Sequence, residues 1–454
     1  MDIPAHVFRE YDIRGLAGSE LDEDFAYRLG MAFAALLDTP PDTPLVVGRD
    51  VRLSGPRLQR AAMRGLRDAG RDVCDIGIAP SPLAYYCVFQ YRLAGCLHVT
   101  ASHNPAAYNG FKMMRGRDSL HGAELTRLRA LVAQAPASTH RRRGRYTQRD
   151  FSDAYIAHLA ADCTLDRPLR VAIDAGNGPS GLIAARLYRR LGCQVVELYC
   201  EPDGRFPHHH PDPSVAENLR DLAACVRRER CDLGIAFDGD GDRIGVVDET
   251  GTVISPDMLL LVLARDLLRT HPGATIISEV KSSAQLYRGI REAGGKPLMW
   301  RTGHSPIKAK MRESGALLAG EMSGHIFFAD RYFGVDDAVY AGARLMQVLA
   351  AQHAPLSSLL ADIPRMCATP EIRLPCPEPL KFELVEQAIT HFRAQGYAPI
   401  TIDGMRLHLD EDCWGLLRAS NTQDALVLRF EAPNPTRLAE VRRLIEDWLR
   451  PRLA

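Results

Sequence analysis

Three stretches of the chain follow one hydrophobic rhythm. Residues 45–55 (LVVGRDVRLSG) form an apolar run that breaks into a polar turn, and a helical stretch follows, closed by LRDAG at 66–70. Residues 169–181 (LRVAIDAGNGPSG) repeat the scheme up to YRRLG at 188–192, and residues 274–284 (ATIISEVKSSA) repeat it up to IREAG at 290–294. A short β-rich run comes next in each: DVCDIGI, CQVVELY and KPLMW. Short apolar runs bounded by turn residues predict buried strands, and a glycine behind a helical stretch marks its C-terminal end. Each copy therefore reads as strand, helix, strand.

Each copy then reaches a further apolar run that stops in a polar loop. GCLHV leads into TASHNP at 100–105, LGIAF into DGDGDR at 238–243, and ALLAG into EMSGH at 321–325. Strands alternating with helices predict α/β modules with parallel or mixed sheets covered by helices. Ligands of such sheets bind beyond the carboxyl ends of the strands. Three different polar loops thus occupy equivalent places in three related modules. Beyond residue 366 the rhythm changes, with Pro364, Pro370, Pro375, Pro377 and Pro379 marking the boundary. A helix over Phe382–Gly396, strands at ITIDG, WGLLRAS and ALVLRFEA, and a helix over Thr436–Leu449 predict a smaller α+β domain. The expected boundaries are 1–148, 149–252, 253–365 and 366–454.

Composition narrows the class. The chain has 454 residues, 46% hydrophobic and 25% charged, which fits a soluble globular protein. Fifty-six basic residues balance fifty-six acidic ones, which removes the charge footprint of a nucleic-acid or anionic-membrane binder. The first fifteen residues contain no apolar signal core. The longest apolar runs, Met31–Leu37 and Met258–Ala264, have seven residues each, against the roughly 20 that a membrane span needs. Eleven scattered cysteines without a CxxC predict free thiols in a cytoplasmic protein and no zinc site. The RRRGR run at 141–145 offers an anion patch, but a charge run this short reads first as a solvated helix end and linker.

Two motifs point elsewhere. Gly176, Gly178 and Gly181 fit GxGxxG between a strand and a helix, with Glu197 about 20 residues on, which would make the chain an NAD-dependent oxidoreductase. Any tight strand-to-helix turn favours glycine, however, and nothing else in the chain asks for a nicotinamide. Asp238, Asp240, Asp242 and Glu249 fit four positions of a calcium loop, but Arg243 stands where its sharp turn needs glycine, and the flanks read as strands. His208, His209 and His210 lie in a proline-bounded loop and read as structural.

The remaining constellations carry chemistry. Asp238, Asp240 and Asp242 are separated only by glycines, and carboxylates this close repel unless a hard cation neutralises them. Mg²⁺ fits, because it takes few carboxylates and completes its shell with water or phosphate oxygen. Ser102 and His103 end a strand in the loop equivalent to the aspartates, and Lys112 follows in NGFK. Glu321, Ser323 and His325 offer a carboxylate, a hydroxyl and an imidazole, suited to a polyhydroxyl ligand. Arg418, Ser420, Asn421 and Thr422 in RASNT read as a phosphate cradle. Lys281 in EVKSS and His304 in RTGHS end strands of the third copy.

Taken together, TASHNP, FDGDGDR, GEMSGH and RASNT, with FREYDIRG at 8–15, NGFK, TGHS and HPDP, resemble the α-D-phosphohexomutase superfamily in order and spacing over almost the whole chain. The GEMSGH form resembles the bacterial phosphomannomutase/phosphoglucomutase branch, with the phosphoglucosamine mutases as the alternative. The resemblance implies three α/β modules and a TBP-like C-terminal domain around a central cleft. It implies Ser102 as a phosphoserine, and Mg²⁺ on Asp238, Asp240, Asp242 and that phosphate. His103, Lys112 and Arg243 would flank the transferring group, with Lys112 or His325 as general base. Glu321 and Ser323 would bind sugar hydroxyls. Arg418, Ser420, Asn421 and Thr422 would hold the phosphate not being transferred, and Tyr11, Arg14, Lys281, His304 and His325 would complete the site. The reaction implied interconverts hexose 1-phosphate and hexose 6-phosphate of glucose or mannose through a hexose 1,6-bisphosphate, in a monomer. A sugar-phosphate binder without turnover is the non-enzymatic alternative. One departure stands out: Asp424 replaces the proline usual two residues after the threonine, and its side chain is expected to point away from the phosphate.

Overall fold

The computed structural model describes residues 4–134, 142–421 and 423–453. They fall into two compact units, Met1–Leu259 with Ser323–Leu359, and Leu260–Met322 with Leu360–Ala454.

In the first unit, one mixed sheet runs in the spatial order Ile13–Leu16, Tyr108–Arg115, Gly95–Val99, Leu45–Arg49, Val73–Ile78, Tyr146–Gln148. The strands from Gly95, Leu45 and Val73 are mutually parallel, as the strand–helix–strand pattern requires. Helices Glu23–Leu36, Gly55–Asp68 and Ala123–Gln134 bury their apolar faces against it, with Phe25, Leu29, Leu58, Leu66 and Leu128 in the core. The first of these helices starts where Asp22 accepts a hydrogen bond from the Phe25 backbone at 2.8 Å, with Glu23 and Asp24 in the first turn, where acidic groups suit the helix dipole. A second sheet has the order Val253–Ile254, Ile244–Asp248, Leu233–Phe237, Arg170–Asp174, Gln194–Leu198. The short strand Asp118–Ser119 pairs with Tyr108–Arg115 in the first sheet, and an antiparallel pair, Ile326–Phe328 with Val335–Asp336, completes the strands described for this unit.

In the second unit, strands Lys296–Trp300, Thr275–Glu279 and Leu318–Gly320 are parallel, and helix Ala284–Glu292 joins the first two in sequence. The C-terminal region forms an antiparallel sheet from Cys367–Ala368, Ile372–Pro375, Ala425–Ala432, Trp414–Ala419 and Met405–His408, with helices Glu378–Ala394 and Pro435–Leu453 packed on it. The chain is therefore of the α/β class, with a C-terminal antiparallel α+β region.

The repeat closes as its pattern predicts. The three helices end at Asp68, Arg190 and Glu292, and Gly70, Gly192 and Gly294 follow with φ of +85°, +91° and +80°. Only glycine takes that left-handed conformation without strain. The ITIDG strand is a correction: the strand is Met405–His408 instead, and Ile400 makes only an isolated bridge to Arg406. Gly404, at φ +84°, turns the chain between them. The helix expected over Phe382–Gly396 begins at Glu378, behind Pro377, because proline is well suited to a helix start. Among the described residues no helix is long and apolar enough to cross a membrane. The eleven cysteines are free thiols.

Candidate active site

The strand Gly95–Val99 delivers Ser102, and the strand Leu233–Phe237 delivers the aspartates, both at carboxyl ends. The Ser102 hydroxyl donates to Asp238 Oδ2 at 2.6 Å and lies 3.2 Å from His103 Nδ1. Ser102 holds φ at +50°, a conformation uncommon for a non-glycine residue. Its backbone N–H donates to Thr100 Oγ1 at 2.9 Å. Its carbonyl accepts from Arg52 Nη2 at 2.7 Å. Arg52 is fully buried and also donates to the carbonyls of Asn104 (2.5 Å), Pro105 (2.6 Å) and Tyr108 (3.0 Å), while Asp50 pairs with it at 3.0 Å. One guanidinium thus gathers four carbonyls of the serine loop.

The three aspartates are all 0% exposed. Asp238 Oδ1 accepts from the backbone N–H groups of Gly241, Asp242 and Arg243 at 2.9, 3.1 and 3.2 Å, which curls the loop around it. Asp240 Oδ2 accepts from Ser81 Oγ at 2.5 Å and from Lys112 Nζ at 2.7 Å. The Lys112 ammonium also pairs with Asp242. Burial, then the Asp240 and Asp242 charges, push Asp238 well above the ordinary carboxylate range. Burial acts on Asp242 as well but is outweighed by Lys112 and His325, which hold it well below that range. Burial would depress the Lys112 ammonium, yet Asp240 and Asp242 raise it, so it stays charged. Burial, then Arg243 and Arg14, keep His103 well below its ordinary value, hence neutral at pH 7.

One oxygen from each of Asp238, Asp240 and Asp242 lies within 4.8 Å of the others. Asp240 Oδ1 is buried and accepts no hydrogen bond among the described residues. A buried carboxylate oxygen left without a donor is costly unless a cation meets it. All-oxygen donors in a carboxylate cluster suit Mg²⁺, so the residues fit the metal expected of them.

The loop at 321–325 divides between the units. In the first, Ser323 Oγ lies 3.0 Å from His325 Nδ1. His325 Nε2 is 3.3 Å from Asp242 Oδ1 and accepts from Arg243 Nε at 3.4 Å. Ile244 N–H donates to the Gly324 carbonyl at 3.0 Å. Gly324 has φ +94°, and a Cβ there would stand 2.6 Å from the Ile244 carbonyl oxygen, so only glycine permits this approach. Arg14 joins the serine loop through Asn104 Oδ1 at 2.8 Å and pairs with Asp12 at 2.7 Å. Tyr11 precedes the first strand and is partly buried. Ser102, His103, Lys112, Asp238, Asp240, Asp242, Arg243, Ser323 and His325 thus stand in one hydrogen-bonded assembly.

In the second unit, Glu279 ends its strand and takes three groups: the Lys281 N–H at 2.7 Å, Thr302 Oγ1 at 3.1 Å and the Met322 N–H at 3.2 Å. Glu321 accepts from the Gly303 N–H at 2.5 Å, directly before buried His304. Lys281 Nζ pairs with Glu371 at 3.1 Å. Arg418 Nε donates to Asp403 Oδ2 at 3.1 Å, and Asp403 also accepts from the Thr302 N–H at 2.9 Å. Lys381 holds the loop behind Arg418 by donating to the Ser420 and Gln423 carbonyls at 2.8 and 3.0 Å. Asn421 is partly buried, Asp424 is exposed, and Thr422 lies outside the described residues.

Arg52, Asp50, Glu279, Asp403, Glu371 and Lys381 escaped the sequence reading. A signal existed for two of them, since Asp50 and Glu279 end strands of the repeat, where the other loops carry chemistry. The motifs that pointed elsewhere find structural roles. A Cβ at Gly181 would stand 2.3 Å from the Cys200 carbonyl oxygen, and one at Gly178 would press on the Ala175, Asp238 and Gly239 carbonyls. Those glycines serve close packing beside the aspartate loop. His208 contacts Asn177 Oδ1 at 2.9 Å and His209 contacts Asp174 at 2.9 Å, so the two rings face different partners. In RRRGR, Arg142 and Arg145 pair with Asp72 at 2.5 and 2.9 Å, and Arg143 pairs with Asp68 at 2.8 Å.

Comparison with known proteins gives a consistent picture. Family models of phosphoglucomutase/phosphomannomutase alpha/beta/alpha domains I, II and III match residues 5–133, 153–251 and 255–366, and the C-terminal domain model matches 371–447. The sequence is 45% identical to a phosphoglucomutase of Neisseria gonorrhoeae, over 95% of this chain and 94% of that protein. It is 43% identical to a phosphomannomutase/phosphoglucomutase of Pseudomonas aeruginosa, over 99% and 96%. The crystal structure of a phosphoglucomutase/phosphomannomutase family protein of Burkholderia thailandensis superposes with a TM-score of 0.92 at 43% identity, covering 99% of this chain and 98% of that one.

Proposed function

The chain belongs to the phosphoglucomutase/phosphomannomutase family and has that family's activity, and we propose that it works with Ser102 as the phosphoryl carrier. The observation that carries this reading is the Ser102 hydroxyl, 2.6 Å from Asp238, set among buried carboxylates and cations. A serine in that setting is held at one point in space and can exchange a phosphoryl group with a sugar hydroxyl. In the first transfer, the free hydroxyl of a hexose monophosphate attacks the phosphorus of phosphoserine 102. The bond from phosphorus to the serine oxygen breaks, and a hexose 1,6-bisphosphate forms. In the second, Ser102 attacks the other phosphate and releases the isomeric monophosphate.

Lys112 and Arg243 offset the charge of the group in flight. Without a bound cation, Asp240 and Asp242 hold Lys112 as an ammonium. Lys112 Nζ, once a cation takes those aspartates, or His325 Nε2 would take the hydroxyl proton. Neutral His103 donates to or accepts from the serine oxygen as the bond changes. Asp238, Asp240 and Asp242 would hold Mg²⁺, which when bound supplies charge neutralisation to the phosphoryl oxygens. Glu321 and Ser323 would bind sugar hydroxyls. Arg418, Ser420 and Asn421 would hold the second phosphate, with Asp403 fixing the guanidinium, and Tyr11, Arg14, Lys281 and His304 would complete substrate recognition.

The test pairs a coupled assay on glucose 1-phosphate and mannose 1-phosphate with intact-protein mass. Ser102→Ala is expected to abolish turnover of both sugars and to leave no phosphoryl group on the protein. EDTA is expected to stop wild-type turnover, and added Mg²⁺ to restore it. Turnover by Ser102→Ala at more than a hundredth of the wild-type rate would remove the carrier role.

A further inference from the structure

The first unit also carries a groove of about 440 Å³ whose lining includes Arg49, Arg60, Arg64, Arg67 and Arg143 and no residue of the serine or aspartate loops. Arg60, Arg64 and Arg67 stand at i, i+4 and i+7 on the helix Gly55–Asp68 and so share one face. Arg49 ends the neighbouring strand Leu45–Arg49, and Arg143 leads into the strand Tyr146–Gln148. Like charges at this spacing destabilise a helix. Solvated arginines usually splay apart, but here three elements of the fold bring five of them onto one concave surface.

Two carboxylates stand at this face, and they offset only part of its charge: Asp68 pairs with Arg143, and Asp75 lines the groove. Asp75, which also lines the groove, is buried and accepts from three neutral donors: Gln59 Nε2 at 2.8 Å, the Gly77 N–H at 2.8 Å and the Tyr146 hydroxyl at 2.9 Å. Asp68 accepts from Arg143 Nε at 2.8 Å and from the Tyr27 hydroxyl at 3.3 Å. Arg67 donates to the Gly144 carbonyl at 2.9 Å, and Arg49 donates to the Asp50 carbonyl at 3.2 Å. Arg64 lies over the Tyr27 ring at 4.9 Å. Among the described residues, Arg60 and Arg64 meet no carboxylate within ion-pair distance, the charges that line this face notwithstanding. Burial, aided by Arg60 against the pull of Asp50 and Asp75, holds the Arg49 guanidinium below its ordinary value. A cation weakened in this way gains from an added anion.

We propose that this groove is a second anion site, binding the di- or triphosphate group of a small molecule. Guanidinium groups are planar forks that pair with phosphate oxygens through two hydrogen bonds each. From Arg60 to Arg67 the helix advances about 10 Å, longer than one phosphate and suited to a chain of two or three. Tyr146, 43% exposed and with the Arg67 guanidinium 5.8 Å from its ring centre, offers a flat face beside the arginines on which a nucleotide base can stack. The phosphate chain is the shared chemistry, and its source is either a nucleotide or inorganic polyphosphate.

The experiment is calorimetric titration of the full-length enzyme saturated with glucose 1,6-bisphosphate, so that the mutase site is filled. Sodium triphosphate and ATP are the two probes. Wild type is expected to take up about one equivalent with Kd below about 100 µM at low salt, weakening as salt rises. Arg60→Ala/Arg64→Ala is expected to bind at least ten-fold more weakly while turning over glucose 1-phosphate at the wild-type rate. Its Tm is expected to stay level or rise, because two like charges are gone. If triphosphate binds as tightly as ATP, the source is the phosphate chain alone. If ATP binds tighter and Tyr146→Leu erases the difference, the source is a nucleotide. No binding under bisphosphate saturation, or equal binding by the double variant, would overturn the proposal.

Discussion

Ser102 is held less by its own contacts than by one residue fifty positions earlier. Arg52 spends its guanidinium on four carbonyls of the serine loop and on Asp50, all out of water. Arg52→Met keeps the bulk but takes the guanidinium from those carbonyls and leaves the buried Asp50 carboxylate without its cation, with only Thr100 Oγ1 and the backbone N–H of residue 52 still donating to it. Removing one partner of a buried ion pair costs roughly 3–5 kcal/mol. For a unit of about 300 residues, with roughly 2.1 cal/mol/K of unfolding entropy per residue, that is a fall in Tm of roughly 5–8 °C. Because the loop carries Ser102, kcat is expected to fall more than KM rises; a variant with lower Tm and unchanged kcat would make Arg52 structural only. The aspartates and Ser102 were legible in the sequence because dense carboxylates and a polar loop after an apolar strand are rare combinations. Arg52 was not, since the second of two arginines in VVGRDVRLSG has the same look as any strand-end turn. Its role exists only where 52 and 102–108 meet, which no local spacing encodes.

At the level of elements, what was legible is the repeat. Apolar runs, helix-end glycines and polar loops recur in register, and the strands and helices follow them. What was not legible is where a short segment stops being a strand. ITIDG has the β-branched residues of a strand, but Gly404 turns the chain and the pairing begins one residue later. The loop 323–325 raises a testable point of the same kind. Its Gly324 carbonyl is bonded to the Ile244 N–H, and Arg243 and His325 form a backbone bridge beside it. Gly324→Ala forces a Cβ against the Ile244 carbonyl in a left-handed conformation, so the two loops part. The expected result is a kcat at least ten-fold lower with Mg²⁺ dependence kept, and a lower Tm as well, because Gly324 is buried and the clash is with backbone. The measurement is a steady-state assay with a thermal melt on the same preparation. A normal kcat would mean that the His325 position tolerates the displacement.

Across the whole molecule, fifty-six basic and fifty-six acidic residues cancel, yet neither unit is electrostatically bland. In the first unit a cation sits among three buried aspartates, while an arginine groove lies on the same body. In the second, Lys281, Arg418 and Arg373 are matched against Glu279, Glu371 and Asp403. That matching makes the second unit acid-labile in a defined window. Burial would raise Glu371, but Lys281 and Arg373 outweigh it and lower its carboxyl to about 2 from its ordinary value of 4.5. A carboxyl whose folded value is depressed contributes stability that is fully present above its unfolded value and is lost as pH falls through the folded one. At roughly 1.4 kcal/mol per pH unit the contribution is at most about 3 kcal/mol, nearer 2 after screening of the part that stays exposed. Glu371→Gln is therefore expected to melt several degrees below wild type at pH 7. The gap is expected to close between about pH 4.5 and pH 2, because wild type loses there what the variant never had. Thermal melts across that range, with and without a saturating hexose phosphate, measure it. A gap that stays constant down to the acid limit would show that Glu371 acts by packing rather than by charge.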